Sequence, residues 1–362
     1  MRRSVTGDHG GAGRRGGRMT GRREALVALC LVCCLTGLAA AAPPRGKPRV
    51  LLGPATPSWI LVQAATGDEL DSREPDRPGP PASMTKMMLA LLVCEAVRDG
   101  QLALNGPLRT SRLASQMGGS QVYLKEGETF TVEELLSALL IGSANDAAVV
   151  LAEGLTGSVA GTIQRMNERA GALRLTATRF GSVHGLPPGP EAAGDVTTPR
   201  DMARLARELI KFPDILRWTG TKEAPFRGGA FTLRNSNHLI GQLAGVDGIK
   251  TGHFAEAGYN LTATAQRGNL RLVAVVMGAA SNAARFAEAS RLLGEGFARF
   301  VEVTVAKAEA PMGGEIRPPR ARFPFRPMVA RDIRLVVKRE ERERVRTSVE
   351  LLPDVRAPLK RG

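Results

Sequence analysis

The stretch Ala82-Ser83-Met84-Thr85-Lys86-Met87-Met88 opens an apolar run in which Leu89, Leu91, Leu92, Val93, Ala96 and Val97 read as a buried helix. Pro80 and Pro81 stand just before it, where a helix can begin but hardly continue. Positions three apart on a helix share a face, with Cβ atoms roughly 5–6 Å apart. Ser83 and Lys86 therefore meet at a sheltered helix start, which suits an activated serine nucleophile. The same residues read equally as an N-capping serine followed by a solvated lysine. The choice rests on the rest of the chain.

Upstream, Trp59-Ile60-Leu61-Val62-Gln63-Ala64 reads as a buried strand ended by the turn Thr66-Gly67-Asp68, and 71–81 as a polar, proline-rich loop. Downstream, Leu108-Arg109-Thr110 reads as a short strand and 116–121 as a Gly/Ser loop. Thr131 caps a helix with Glu133 and Glu134 in its first turn and Leu135, Leu136, Leu139 and Leu140 on one side. The segment 141–146 interrupts it, and a new helical run starts at Ala147 and continues to about Glu153. A third helix is expected over 159–173, and Thr198-Pro199-Arg200-Asp201 starts a fourth over 202–211.

The pattern then changes to strand: Phe231-Thr232-Leu233, 248–253, 258–265 and 270–277, the last two joined as a hairpin by Arg267-Gly268-Asn269. A closing helix covers 283–300. Strand, helical insertion, strands, helix is the order of an α/β (α+β) chain whose antiparallel sheet takes its first strand from the N-terminus. After it, Val301, Val303, Val305, then Ile333, Leu335, Val337, then Val349 and Leu351 alternate between Pro/Arg-rich turns, predicting a small all-β appendage over 301–362. No amphipathic helix that could anchor it is apparent in that tail.

A hydrophobic fraction of 43% and a charged fraction of 23% over 362 residues are those of a globular protein, and 4% aromatic content argues against a base-stacking surface. The net charge of +15 would suit nucleic acid or an anionic surface, but it sits at the ends. The first 24 residues hold seven arginines against Asp8 and Glu24, and the stretch after Ala306 holds fifteen Lys/Arg against eight Asp/Glu. That distribution reads as an export signal plus a basic tail, so nucleic acid is not an expected partner, and weak association with the inner-membrane surface is. Arg14, Arg15, Arg18, Arg22 and Arg23 precede the apolar stretch 25–38, and Ala39-Ala40-Ala41-Ala42 offers a cleavage site. The prediction is a signal peptide over 1–42, with Met19 an alternative start, and a linker over 43–57. An uncleaved anchor is the competing reading, though the apolar stretch is short of the ~20 residues a span needs. Cys30, Cys33 and Cys34 would leave with the signal, and Cys94 remains as a small core residue with no partner for an intramolecular disulfide. The expected location is exported, in the periplasm or cell envelope.

Ser83-x-x-Lys86 is followed sixty residues later by Ser143-Ala144-Asn145 between helices, and 105 residues after Asn145 by Lys250-Thr251-Gly252 in the strand-rich half. The set in this order is that of serine β-lactamases and penicillin-binding proteins, with Ala144 in place of the aspartate of the former. Over 59–300 the chain resembles the low-molecular-mass penicillin-binding proteins that are serine-type D-alanyl-D-alanine carboxypeptidases. The stretches that carry the resemblance are 81–88, Ser143-Ala144-Asn145-Asp146-Ala147, 246–253 leading to Ala257-Gly258-Tyr259-Asn260, His184-Gly185-Leu186, and Thr198-Pro199-Arg200-Asp201-Met202. It implies a DD-peptidase/β-lactamase-like fold with a catalytic domain over 58–300. The β-rich tail resembles the start of a C-terminal domain that in the family usually continues and often ends in an amphipathic anchor, so a shortened version is expected.

Ser83 needs a base, and no histidine has motif support for that role. Lys86 serves if neutral, and burial together with Lys250 would lower its pKa. By resemblance, Ser143 relays the proton to the leaving amine, Asn145 hydrogen-bonds the substrate backbone, and Lys250 and Thr251 hold the substrate carboxylate. Gly252 lets the strand approach the substrate, and the backbone N–H groups of Ser83 and His253 form the oxyanion hole. His184 is expected to be structural; His238 and His9 have no ligand pattern, and neither metal nor cofactor is expected. The implied reaction is removal of terminal D-alanine from the D-Ala-D-Ala end of a peptidoglycan stem peptide, with β-lactam antibiotics as covalent inhibitors. A DD-endopeptidase or transpeptidase shares the same set; a β-lactamase, lacking a convincing deacylating glutamate motif, and a silent wall-binding protein are the weaker alternatives.

Overall fold

The computed structural model of the chain describes residues 56–187, 189, 194–317 and 322–346. The expected signal peptide, most of the linker and the expected strand at Val349 and Leu351 lie outside them. Strand β1 (Ser58–Gln63) is buried along its whole length, Ile60 and Val62 entering the core on one face and Trp59 and Leu61 on the other. β2 (Glu69–Arg73) returns antiparallel beside it. Its sequence, Glu69-Leu70-Asp71-Ser72-Arg73, lacks an apolar alternation because an edge strand is half solvated, so it reads as loop from sequence.

A 3-10 turn over Ala82–Thr85 leads into α1 (Lys86–Arg98). The insertion follows as β3 (Pro107–Arg109), α2 (Arg112–Ser115), β4 (Thr129–Thr131), α3 (Val132–Leu140), α4 (Asn145–Thr156), α5 (Val159–Ala172), α6 (Pro199–Leu209) and α7 (Pro213–Thr219). The expected Thr131 start is a full capping box: Thr131 Oγ1 accepts from Glu134 N, and Glu134 returns the bond to Thr131 N. The hairpin β5 (Glu223–Phe226) and β6 (Phe231–Arg234) comes next, then β7 (Val246–Phe254), β8 (Gly258–Arg267), β9 (Leu270–Ala279) and α8 (Asn282–Arg299). β10 (Phe300–Ala306) and β11 (Ile333–Lys338) pair in a separate two-stranded sheet, with Leu335 opposite Val303 and Val337 opposite Val301.

The main sheet is antiparallel with the order β2-β1-β9-β8-β7. The N-terminal strand thus lies inside the sheet, against the last strand made. α8 covers one face through Phe286, Ala289, Leu292, Leu293 and Phe297; the insertion covers the other, bringing the buried Met84, Met87 and Met88 into one core with Val273, Val275 and Met277. Burying such side chains contributes about 1.5–3 kcal/mol each. This places the 3-10 turn against β7, at the edge of the sheet.

Two boundaries differ from expectation in ways that matter. Ser83 stands on the 3-10 turn, and the α-helix begins only at Lys86. α4 begins at Asn145, two residues earlier than expected, and runs to Thr156. Asn and Asp are poor helix residues by propensity, but here Asn145 N donates to Ser120 O at 2.7 Å and Asp146 accepts from Val122 and Leu124, so a loop remote in sequence completes the helix start. α7 and β5, seven and four residues long, are too short for a periodic signal. Among the described residues, no helix is long and apolar enough to cross a membrane.

Candidate active site

In a 3-10 turn, residues three apart eclipse one another, and Ser83 and Lys86 are so related. Lys86 Nζ lies 3.0 Å from Ser83 Oγ. The turn is wedged between two glycines. A Cβ on Gly252 of β7 would collide with Pro81 O and press on Ser83 N, and one on Gly185, where φ is +80°, would collide with Ala82 O. Gly252 was expected to make room for substrate; its nearest neighbour is the 3-10 turn itself, and the smallness is needed there. The close approach leaves Ser83 N beside β7, where the oxyanion hole was expected.

Lys86 is fully buried and makes three hydrogen bonds, to Ser83 Oγ, to Asn145 Oδ1 at 2.7 Å and to the His184 carbonyl at 2.7 Å. Three acceptors satisfy one ammonium. Against that, burial and then the nearby Lys250 hold its pKa well below the ordinary lysine value, with Asp195 and Asp146 pulling the other way.

Asn145 is as buried as Lys86. Its oxygen is given to Lys86, and Nδ2 donates to Gly118 O at 2.7 Å, leaving one amide hydrogen for a substrate. Ser143 lies two residues before it at φ +59°, on the turn joining α3 to α4, and its hydroxyl bonds no described residue. Of the two, Asn145 is the one hydrogen-bonded to Lys86. Lys250 and Thr251 are buried on β7. Burial, and then Arg285, bring the Lys250 amine down to about 7, and Nζ donates to Thr251 O at 3.0 Å. The Thr251 hydroxyl pairs with Ser236 Oγ at 2.5 Å. The His253 side chain is exposed, its ring stacked on Tyr259 at 3.8 Å, with Nδ1 donating to Gly258 O.

Four contributors carry no local signal in the sequence. His184 was expected to be structural, supporting its loop, and its carbonyl oxygen accepts a hydrogen bond from Lys86; a backbone group leaves no trace in residue type. Its ring Nδ1 accepts from Leu186 N at 3.1 Å, and burial, with Lys86, lowers its pKa to about 4, so the ring is neutral. Asp195 accepts from Thr85 Oγ1 (2.7 Å), Ser182 Oγ (2.9 Å) and the N–H groups of Gly181 and Ser182, tying the 3-10 turn to the loop that presents His184 across 110 residues of sequence. Arg285 reaches from α8 to donate to Gly252 O and Asn260 O, both at 3.1 Å. Ser236 anchors Thr251. Cys94, by contrast, is buried on α1 with its thiol pushed up to about 12, and is inert.

The profile of the D-alanyl-D-alanine carboxypeptidase family matches residues 52–281. The chain belongs to that family. It is 35% identical over 328 residues to the D-alanyl-D-alanine carboxypeptidase DacF of Bacillus subtilis, covering 88% of this chain and 82% of the relative. It is 37% identical over 261 residues to DacC of Escherichia coli, covering 70% of this chain but 64% of the relative. In three dimensions it is similar to penicillin binding protein 5 from Haemophilus influenzae, with a TM-score of 0.76, 29% identity, and coverage of 84% and 89%. The expected fold is thereby shown, as is the enzyme class: a serine hydrolase of D-alanyl-D-alanine ends from a penicillin-binding lineage.

Proposed function

We propose that the chain removes the terminal D-alanine of peptidoglycan stem pentapeptides through an acyl-enzyme on Ser83. The observation that carries the reading is the buried Lys86 amine 3.0 Å from the Ser83 hydroxyl, held below its usual pKa by burial and by Lys250. Once neutral, Lys86 takes the Ser83 proton as Oγ attacks the carbonyl carbon of the penultimate D-alanine. Backbone N–H groups of Ser83 and His253 receive the developing oxyanion. The C–N bond then breaks, and the proton passes from Lys86 by way of Ser143 to the leaving amine of D-alanine. Water hydrolyses the ester and restores Ser83. Lys250, protonated, and the Thr251 hydroxyl hold the substrate's terminal carboxylate, while the remaining Asn145 amide hydrogen meets its backbone. Arrival of that carboxylate neutralises the field of Lys250 at Lys86, so binding and base strength are linked.

A β-lactam carries a strained amide in the same place, and its acyl-enzyme would block the serine. Labelling of the wild-type protein and of Ser83→Ala with a fluorescent penicillin, alongside D-alanine release from a model pentapeptide, tests the reading. Labelling of the wild type alone, with D-alanine release, is expected. Equal labelling of both would refute it, and cleavage of crosslinked muropeptides without D-alanine release would make the chain an endopeptidase. In this reading 58–300 is the catalytic domain, the chain is exported to the periplasm or cell envelope, and the basic part after Ala306 associates weakly with an anionic membrane surface. Fractionation at low salt that leaves the protein wholly unattached would exclude the last.

A further inference from the structure

Tyr123 has 64% of its surface exposed although its neighbours Val122 and Leu124 are buried, and it sits at φ +58°, a region that bulky residues rarely enter. The turn is held there deliberately. The Asp146 carboxylate, itself 1% exposed, accepts from Val122 N at 3.1 Å and from Leu124 N at 3.0 Å, and Arg227 donates to Tyr123 O at 2.8 Å. The same bonds that complete the start of α4 thereby also fix the strained turn that points an exposed tyrosine outward. The ring is the outer end of an aromatic row: Tyr123 meets Phe231 edge-on at 6.3 Å, Phe231 meets Phe226 at 6.4 Å, and Phe226 stacks on the buried Phe130 at 5.1 Å.

Both ends of this contact lead into the active site. The loop carrying Tyr123 supplies Gly118 O and Ser120 O to Asn145, and the strand carrying Phe231 continues to Ser236, which bonds Thr251. The pair therefore sits on the two segments that contact Asn145 and Thr251, and Asp146, which holds the Tyr123 turn, is the neighbour of the residue whose side chain is 2.7 Å from Lys86 Nζ. An extended pentapeptide whose last residues sit at Ser83 and Lys250 spans at most about 17 Å, so the group at its far end lies within that reach of the site. That group is the sugar to which a stem peptide is joined.

We propose that Tyr123, backed by Phe231, is a stacking platform for a pyranose ring of the glycan that bears the stem peptide. A pyranose offers a flat face of C–H groups to an aromatic face, and the exposed phenol suits its hydroxyls. The inference rests on the carboxypeptidase reading above and adds a preference for glycan-bearing substrate. The test compares kcat/KM for D-alanine release from a free pentapeptide and from the same pentapeptide on its disaccharide. The wild type is expected to favour the disaccharide form by about tenfold, the scale of one aromatic contact, and Tyr123→Phe to keep most of that ratio. Tyr123→Ala and Tyr123→Gly should bring the ratio to about one, and Tyr123→Gly should not lower the thermal midpoint, since glycine relieves the turn. A wild-type ratio near one, or equal losses on both substrates in Tyr123→Ala, would overturn the platform. Absence of release from either substrate by the wild type would instead overturn the carboxypeptidase reading, and this inference with it.

Discussion

Replacing Asn145 by aspartate tests the central electrostatic argument with almost no change of shape. The substitution puts a carboxylate oxygen where an amide oxygen now stands 2.7 Å from the buried Lys86 Nζ. At an effective dielectric constant of about 20, a unit charge at that distance attracts the ammonium by ~6 kcal/mol, which corresponds to a rise of about four in the lysine pKa. The neutral fraction of Lys86 at pH 7 would fall by up to about 10⁴. Loss of the bond from Nδ2 to Gly118 O costs a further ~1–3 kcal/mol of stability, which thermal melting would register separately. The assay is the second-order rate of acylation by a fluorescent penicillin between pH 6 and 11. Base catalysis needs neutral lysine, so the ascending limb of the profile should lie several units higher in Asn145→Asp than in the wild type, while the descending limb set by Lys250 near 7 is common to both. A variant that acylates at the wild-type rate at pH 7, or that is slowed without any displacement of its pH profile, would refute Lys86 as the base.

Lys250, brought down to about 7 by burial and Arg285, predicts that kcat/KM falls as pH rises through that value, because the free enzyme then loses the charge that receives the carboxylate. The sign for stability is opposite: the unfolded chain, with an ordinary lysine near 10.4, binds the extra proton between about 7 and that value, so folding strengthens with pH across the window, and Lys250→Met should melt higher than the wild type at pH 6 while losing activity. Asp195→Asn should lower kcat by roughly ten- to a hundredfold and the stability by ~1–3 kcal/mol, since the amide cannot accept all four bonds made by Thr85, Gly181 and Ser182; unchanged kinetics would show that the tie is dispensable. Gly252→Ala should drive β7 away from Pro81 O and Ser83 N and cost about a hundredfold in acylation, measured by stopped-flow labelling; a wild-type rate would mean the turn is not held by that approach.

What could be read before folding was local or ordered. The alternation of β1 and β9, the capping box at Thr131 and the proline start of α6 are contacts among neighbours, so residue type specifies them. The half-solvated β2 and the seven-residue α7 were too short or too polar to leave a period. At the site, the three motifs named Ser83, Lys86, Ser143, Asn145, Lys250, Thr251 and Gly252 as candidates because each is a side chain, or a missing one, placed at fixed spacing, and the resemblance they carry added His253 for its backbone N–H.

The amino-acid order by itself determined the antiparallel sheet with its helical insertion and the roster of reactive groups. Only the tertiary structure decided how those groups are charged and aimed. A lysine is a strong base or a weak acid according to how much water and how many charges surround it, and here those are set by the His184 carbonyl, Asp195, Arg285 and the close seat of the 3-10 turn on β7. Ser83 and Lys86 were written three residues apart; that they are within 3.0 Å, dry, and in the field of Lys250 is the work of segments 59 or more residues away.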